Sequence, residues 1–227
     1  MHRPVVAFFA SADDRRRLLR CIVGLVLCGA GFSLLVRADL GLDPWDVFHQ
    51  GVSERVGLPI GTVSILTGFV VLLAWIPLRE RPGVGTILNA LLIGATMDVL
   101  LPHVPEAGAW PVAWAMLIGG VITTGVGIGL YIGAGLGPGP RDGVMTGLAR
   151  RGTSIRLART GIELTALVLG WALGGTVGVG TLVFAVTIGP IAQFTLGRLS
   201  LPPREARRAR AAAVTPTGGT PGSGPGR

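Results

Sequence analysis

The sequence predicts an all-α, multi-pass membrane protein: six transmembrane helices arranged as two inverted three-helix repeats, each with a short re-entrant or interfacial helix. Three observations predict it. The chain carries apolar runs of about 20 residues, long enough for a hydrocarbon core of ~30 Å. It writes one bend-and-helix motif twice. Its arginines fall almost wholly on one side of the spans those runs define. With a mean hydropathy of +0.62 and 14% charged residues, 227 residues suit a bilayer better than water.

The motif is Ala38-Asp39-Leu40-Gly41-Leu42-Asp43-Pro44-Trp45-Asp46, and it recurs as Ala134-Gly135-Leu136-Gly137-Pro138-Gly139-Pro140-Arg141-Asp142. The displacement is 96 positions, from Ala38 to Ala134. At that offset Gly31, Leu34, Gly51 and Trp75 also recur, as Gly127, Leu130, Gly147 and Trp171. After one deleted residue, Gly83-Val84-Gly85-Thr86 returns as Gly178-Val179-Gly180-Thr181, and Ile93-Gly94 as Ile188-Gly189. Ordered matches over so long a stretch mark a duplication.

Each copy reads as a reversal followed by a helix start. Gly41 and Gly137 supply positive φ for the bend. Pro44 and Pro140 suit the first helical position, where a missing N–H costs nothing. Asp46 and Asp142 then fall in the first turn, where a carboxylate can accept orphan N–H groups and complements the helix dipole. Asp43 suits the N-cap, and Gly139 suits it less well. The helices run over 44–56 and 140–151. About 13 residues reach only ~20 Å, so each helix either dips into the bilayer or lies on it.

In chain order, residues 1–20 form a cytoplasmic N-terminal segment. Its apolar Val5 to Ala10 precedes its charges, the wrong order for a secretory signal. Repeat one, 21–101, holds a first span from Cys21 to Val36, the short helix, a second span from Pro59 to Pro77 and a third from Val84 to Leu101. An extracellular linker, 102–110, follows. Repeat two, 111–201, holds a fourth span from Pro111 to Ile132, the second short helix, a fifth span from Ile155 to Leu173 and a sixth from Val179 to Leu199. Trp110 and Trp114 sit where an interfacial aromatic belt belongs. The tail, 202–227, is basic and then reads as disordered, being rich in Arg, Pro, Gly and Thr without apolar periodicity.

Orientation follows from charge. With both termini cytoplasmic, the inner segments hold sixteen arginines: Arg15 to Arg20, Arg79 and Arg81, Arg141 to Arg159, and Arg198 to Arg210. The outer loops hold only Arg37 and Arg55. The positive-inside rule therefore puts the N- and C-termini inside, and the membrane expected is the plasma membrane. Three spans per repeat is an odd number, so the halves point in opposite directions. Inverted repeats with short segments at matching positions are the pattern of many secondary transporters.

The paired Leu-Gly-x-x-Pro-x-Asp motif, Leu40 to Asp46 and Leu136 to Asp142, on a short apolar chain resembles the bacterial YczE/YitT-like integral membrane proteins. The resemblance spans about Cys21 to Leu201. It is nearer the short YczE-like branch, since a soluble C-terminal domain of the YitT type is not expected here. It implies membrane location and fold and assigns no activity.

Several residues are candidates for chemistry. Gly41, Pro44, Asp46, Gly137, Pro140, Arg141 and Asp142 form the candidate substrate site: two opposed helix N-termini could meet one anionic group. The alternative is that the aspartates only cap interfacial helices. Asn89, Asp98, Glu163 and Gln193 are the polar groups within spans, candidates for coupling or interhelical hydrogen bonds. Asp98 and Gln193 also lie near enough to span ends to snorkel, and Glu163 stands four residues from Arg159, at ion-pair spacing. On the helix from Pro44, Trp45, Phe48 and Val52 make an apolar strip opposite Asp46, His49, Gln50 and Ser53, and His49 reads as solvated. Cys21 and Cys28 read as small core residues, and Gly119, Gly120, Gly125 and Gly129 as close-packing positions.

The sequence carries no zinc spacing and no nucleophile–His–acid set, so neither an enzyme, a metal nor a cofactor is expected. The net charge of +8 clusters at span ends and in the tail, where Arg204, Arg207, Arg208 and Arg210 suit anionic lipid head groups rather than nucleic acid. Two functions remain: a small secondary transporter or permease for an anionic or polar solute, or a scaffold that binds partners or anionic lipid.

Overall fold

The structure is a computed structural model that describes residues 11–202, so Arg204 to Arg210 and the tail lie outside the described residues. The described residues are helical without strands: α1 (Ala12–Ala38), α2 (Pro44–Val56), α3 (Ile60–Leu73), α4 (Trp75–Leu78), α5 (Val84–Leu100), α6 (Trp110–Gly133), α7 (Pro140–Ala149), α8 (Ile155–Leu173) and α9 (Val179–Leu199). Four helices are long and apolar enough to cross a membrane: α1, α3 continued by α4, α6 and α9. α5 has 17 residues, about 25 Å of rise. α8 has 19 but carries Arg156, Arg159 and Glu163 in its first half.

Several boundaries differ from the sequence reading: α7 ends at Ala149 rather than at 151, and two differences go further. α1 begins at Ala12, so the expected division at residue 20 falls inside a helix. Ser11 caps it by accepting the Asp14 N–H at 3.1 Å, and Asp13 and Asp14 in the first turn complement the dipole. The second span is broken at Ala74, between α3 and α4. Pro77 explains the break, since its missing N–H leaves the Leu73 carbonyl without an i→i−4 partner.

The centre is a seam between α1 and α6. A Cβ on Gly24 would stand 2.7 Å from the Gly127 carbonyl oxygen, and one on Gly31 would stand 2.7 Å from that of Gly120. The two backbones therefore touch, and as numbers rise along α1 they fall along α6: the helices are antiparallel. Gly24 and Gly31 recur in the duplication as Gly120 and Gly127, so each contact maps onto the other. Cys21 and Cys28, free thiols, are buried there as the spacing led one to expect. Gly125 and Gly129 pack on Ile191 and Thr195 of α9, whereas Gly119 has open space and no packing role.

The bends repeat this correspondence. Gly41 has φ +107° and Gly137 has φ +121°. The Leu40 carbonyl just before one bend accepts the Gly180 N–H at 2.6 Å, and the Leu136 carbonyl before the other accepts the Gly85 N–H at 2.9 Å. The recurring Gly-Val-Gly-Thr segment is thus the start of α5 or α9, seated against the bend of the other half. α2 packs chiefly on α8, and α7 on α3 and α4 together as well as on α8 of its own repeat, so each short helix lies against the opposite repeat.

Arginines read as topology markers also close helix ends. Arg17, 2% exposed, donates to the Ala134 carbonyl at 3.1 Å and the Pro202 carbonyl at 2.7 Å while pairing with Asp13 at 3.0 Å. Arg20 donates to the Leu199 carbonyl at 2.9 Å. Large apolar side chains such as Val70, Ile76, Leu182 and Val186 remain outside, as lipid-facing surface requires.

Candidate functional site

The N-termini of α2 and α7 meet at a central cavity of about 200 Å³, to which every long helix contributes a wall. In a bilayer a polar helix face finds partners only inward, and α2 obeys this. It turns Asp46, Val47, His49 and Gly51 into the protein and leaves Trp45, Phe48 and Val52 partly exposed. The expectation of a solvated His49 is therefore corrected: the side chain is fully buried.

On α2 the Asp43 Oδ1 accepts the Trp45 N–H at 3.0 Å, as an N-cap should. Asp46 does not cap: its Oδ1 lies 2.9 Å from His49 Nδ1. From α7, Arg141 reaches across so that a guanidinium nitrogen lies 4.0 Å from Asp43 Oδ1, and its Cζ stands 4.5 Å above the Trp45 ring centre. Around this contact Asp43 Oδ2, Trp45 Nε1, Asp46 Oδ2 and His49 Nε2 are buried without hydrogen-bond partners.

The second copy is built differently. Asp142 Oδ2 accepts the Gly139 N–H and the Tyr131 hydroxyl, both at 3.3 Å, so it caps its own helix. Trp75 donates to the Pro140 carbonyl at 2.9 Å and its ring covers Gly143. Asp46 and Asp142, matched in sequence, thus have unlike partners: a histidine on one side, a tyrosine and a backbone amide on the other.

Burial dominates the electrostatics of the α2 cluster. Loss of water pushes the Asp43 carboxyl up to about 8, with neighbouring Asp46 adding and Arg141 opposing. Desolvation raises Asp46 too, against Asp43 and Arg141. It lowers His49 to about 3, with Arg141 adding to the effect, so the imidazole is neutral.

Of the sequence candidates, Pro44, Pro140, Arg141 and Asp142 line the cavity, with Asp46 immediately behind it, bonded to His49. Gly41 and Gly137 do not line it but make the bends. Asn89 lines the cavity, and its side chain forms no interhelical hydrogen bond among the described residues. Glu163 pairs with Arg159 at 2.9 Å, and both line the wall from α8. Asp98 is elsewhere, accepting from the Gly61 N–H and the Thr62 hydroxyl at the start of α3. Gln193 is exposed and joins no site. Sequence reasoning missed Asp43, Trp45 and Tyr131 as cavity residues. The signal for the α2 group was the spacing of Asp43, Asp46 and His49, three apart and hence on one helix face.

Residues 15–196 match the model of a family of unknown function, DUF6198. The chain belongs to this family. Among its relatives is the "Uncharacterized membrane protein YczE" of Bacillus subtilis, 35% identical over 176 residues, covering 76% of this chain and 82% of the relative. An "Uncharacterized protein" of Haemophilus influenzae is 39% identical over 180 residues, covering 77% and 81%. The "Uncharacterized protein YyaS" of Bacillus subtilis is 26% identical over 168 residues, covering 71% and 83%. No solved structure matches. The DUF6198 match contains both copies of the motif and every cavity-lining residue. With its apolar helices, this YczE-like member of the family is an integral membrane protein.

Proposed function

We propose that the chain is a small secondary transporter or permease of the plasma membrane, moving a small anionic or polar solute through the cavity. It has six spans in two inverted repeats and both termini in the cytoplasm, α5 and α8 serving as the third and fifth spans. The short helices α2 and α7 are re-entrant. The observation that carries the reading is Arg141 of one copy seated against Asp43 and Trp45 of the other. Two interfacial helices at opposite surfaces would have no such contact. The antiparallel seam of α1 and α6, equivalent helices of the two repeats, supports the inversion. A guanidinium stacked on an aromatic ring and only loosely paired is suited to bind a carboxylate or phosphate group of a solute.

Flux of radiolabelled small anions and polar solutes into proteoliposomes tests this, beside melting temperature for Arg141→Gln, Asp46→Asn and Asp142→Asn. The transport reading expects at least one solute to be moved by the wild type and lost with Arg141→Gln while melting stays near wild type. No flux by the wild type across a broad panel replaces it with the scaffold reading.

A further inference from the structure

The cavity wall on α2 holds more unsatisfied polar atoms than a structural helix start needs. Asp43 and Asp46 are 4% and 2% exposed and His49 is fully buried. One oxygen of each carboxyl and one nitrogen of the imidazole have no partner. Leaving a buried polar atom unpaired costs about 1–3 kcal/mol, so three in one place call for an occupant. Two ionised carboxylates can only accept, and like charges side by side in a dry site repel.

We infer that Asp43, Asp46 and His49 form a binding site for one exchangeable proton, held between the two carboxyls and governed by Arg141. A proton taken from water onto Asp43 Oδ2 makes a hydroxyl that can donate to the free Asp46 Oδ2, so one proton satisfies both orphan atoms. Burial and the neighbouring Asp46 both raise Asp43, whereas Asp46 is raised by burial and lowered by its neighbours, which favours the proton on Asp43. With one carboxylate left ionised beside Arg141, the cluster is neutral. His49 keeps its ring proton on Nδ1, facing Asp46 Oδ1, and leaves Nε2 as a bare acceptor beside the cavity.

The charged and titratable groups facing this site are few. α7 brings Arg141 and Asp142, and Asp142 is engaged with Gly139 and Tyr131. α8 brings Arg159 and Glu163, which neutralise each other. α1 and α6 bring Cys28 and Tyr131 to the same cavity, and the cavity residues of α3, α5 and α9 are uncharged. Among the described residues Arg141 is therefore the one facing charge without a full partner, at 4.0 Å from Asp43 and 32% exposed. An anion that took Arg141 would leave Asp43 without its counter-charge and raise its hold on a proton. By reciprocity, a proton on Asp43 would free Arg141 for the anion. The role as a coupling proton rests on the transport reading above; the proton site itself does not.

The test is infrared difference spectroscopy of the full chain in lipid, stepping pH from 5 to 10 (roughly the range that brackets a raised carboxyl) and following the C=O stretch of protonated carboxyls. The expected result is a titrating carboxyl in the wild type that is lost in Asp43→Asn and unchanged in Asp98→Asn. Arg141→Gln should move its midpoint up by about 1–3 units, because a positive neighbour has been removed. A signal that survives Asp43→Asn overturns the inference. Should Asp43→Asn fail to fold, an unmoved midpoint in Arg141→Gln overturns it equally. Solute flux without any such carboxyl would remove the proton site and leave transport standing. The carboxyl without flux would keep the site and remove transport.

Discussion

Asp98 caps a helix to which it does not belong. Its Oδ1 accepts the Gly61 N–H at 2.7 Å and its Oδ2 the Thr62 hydroxyl at 2.6 Å, joining the end of α5 to the start of α3. The residue before α3 is Pro59, which has no side-chain acceptor to offer. Its counterpart before α8 is Ser154, which accepts the Leu157 N–H at 3.1 Å. That explains why the position matching Asp98 can be Gln193 and face outward.

Asp98→Ala should accordingly lower stability by about 1–3 kcal/mol, the cost of leaving buried N–H and hydroxyl groups unpaired. Asp98→Asn should recover most of it, and Gln193→Ala should change little. Melting curves in one detergent compare the three. Equal loss for Asp98→Ala and Gln193→Ala would refute the cap.

Glycine substitutions should grade by what a new Cβ meets. Gly57, at φ +70°, has nothing within 4 Å, so Gly57→Ala carries only the left-handed strain of about 1–2 kcal/mol. In Gly137→Ala the Cβ also meets the Thr86 hydroxyl at 2.9 Å. In Gly41→Ala it meets the Gly178 backbone nitrogen at 2.5 Å, which cannot give way. The yield of monodisperse protein should fall in the order Gly57, Gly137, Gly41.

The α2 cluster should leave a pH signature in stability. Asp43 stands at about 8 in the folded chain, against about 3.9 when unfolded. Between those values the folded state holds a proton that the unfolded state has released. The Asp43 contribution should therefore be full below about pH 4, fall as pH rises towards 8, and level off beyond it. His49, held at about 3, works in the opposite sense below its ordinary value of about 6.5, so the net fall is seen between about pH 6.5 and 8. Asp43→Asn keeps a capping acceptor but removes the titration, so its melting temperature should fall less between about pH 6.5 and 8 than that of wild type (the window follows from the linkage relation). Parallel curves for the two proteins would count against the raised carboxyl.

Sidedness can be checked at two exposed loop positions. With Cys21 and Cys28 replaced, single cysteines at Glu106 and Arg81 should label from outside and inside the cell respectively. Both positions lie in exposed connections, so accessibility is not in question. Labelling of both from one side would end the orientation read from the arginines.

Much of the fold was legible because membrane helices declare themselves by length and apolarity, and because the duplication fixed which segments correspond. The bends at Gly41 and Gly137, and Asp43 as N-cap, follow from backbone chemistry that is local in sequence. What was not legible depended on contacts between distant segments. His49 looked solvated because a polar helix face has two readings, outward on a surface or inward in a bilayer, and only the packing of α2 decides. Asp46 and Asp142 looked alike because the motif records the residue and not its partner. Asp98 looked intramembrane and functional, since nothing local told that its partner would be the amide of Gly61.

The contacts of Arg17 also set an order of events during synthesis. The guanidinium of this buried residue, near the beginning of the chain, is satisfied partly by the carbonyl of Pro202, near the end of the described residues. A ribosome that has delivered α1 to the membrane has still to make eight further helices before that carbonyl exists. The Ala134 carbonyl comes earlier, when α6 has been completed, and gives a provisional partner. Of the described helices α1 is thus made first and locked among the last, and a nascent chain stalled before residue 202 carries an incompletely paired arginine.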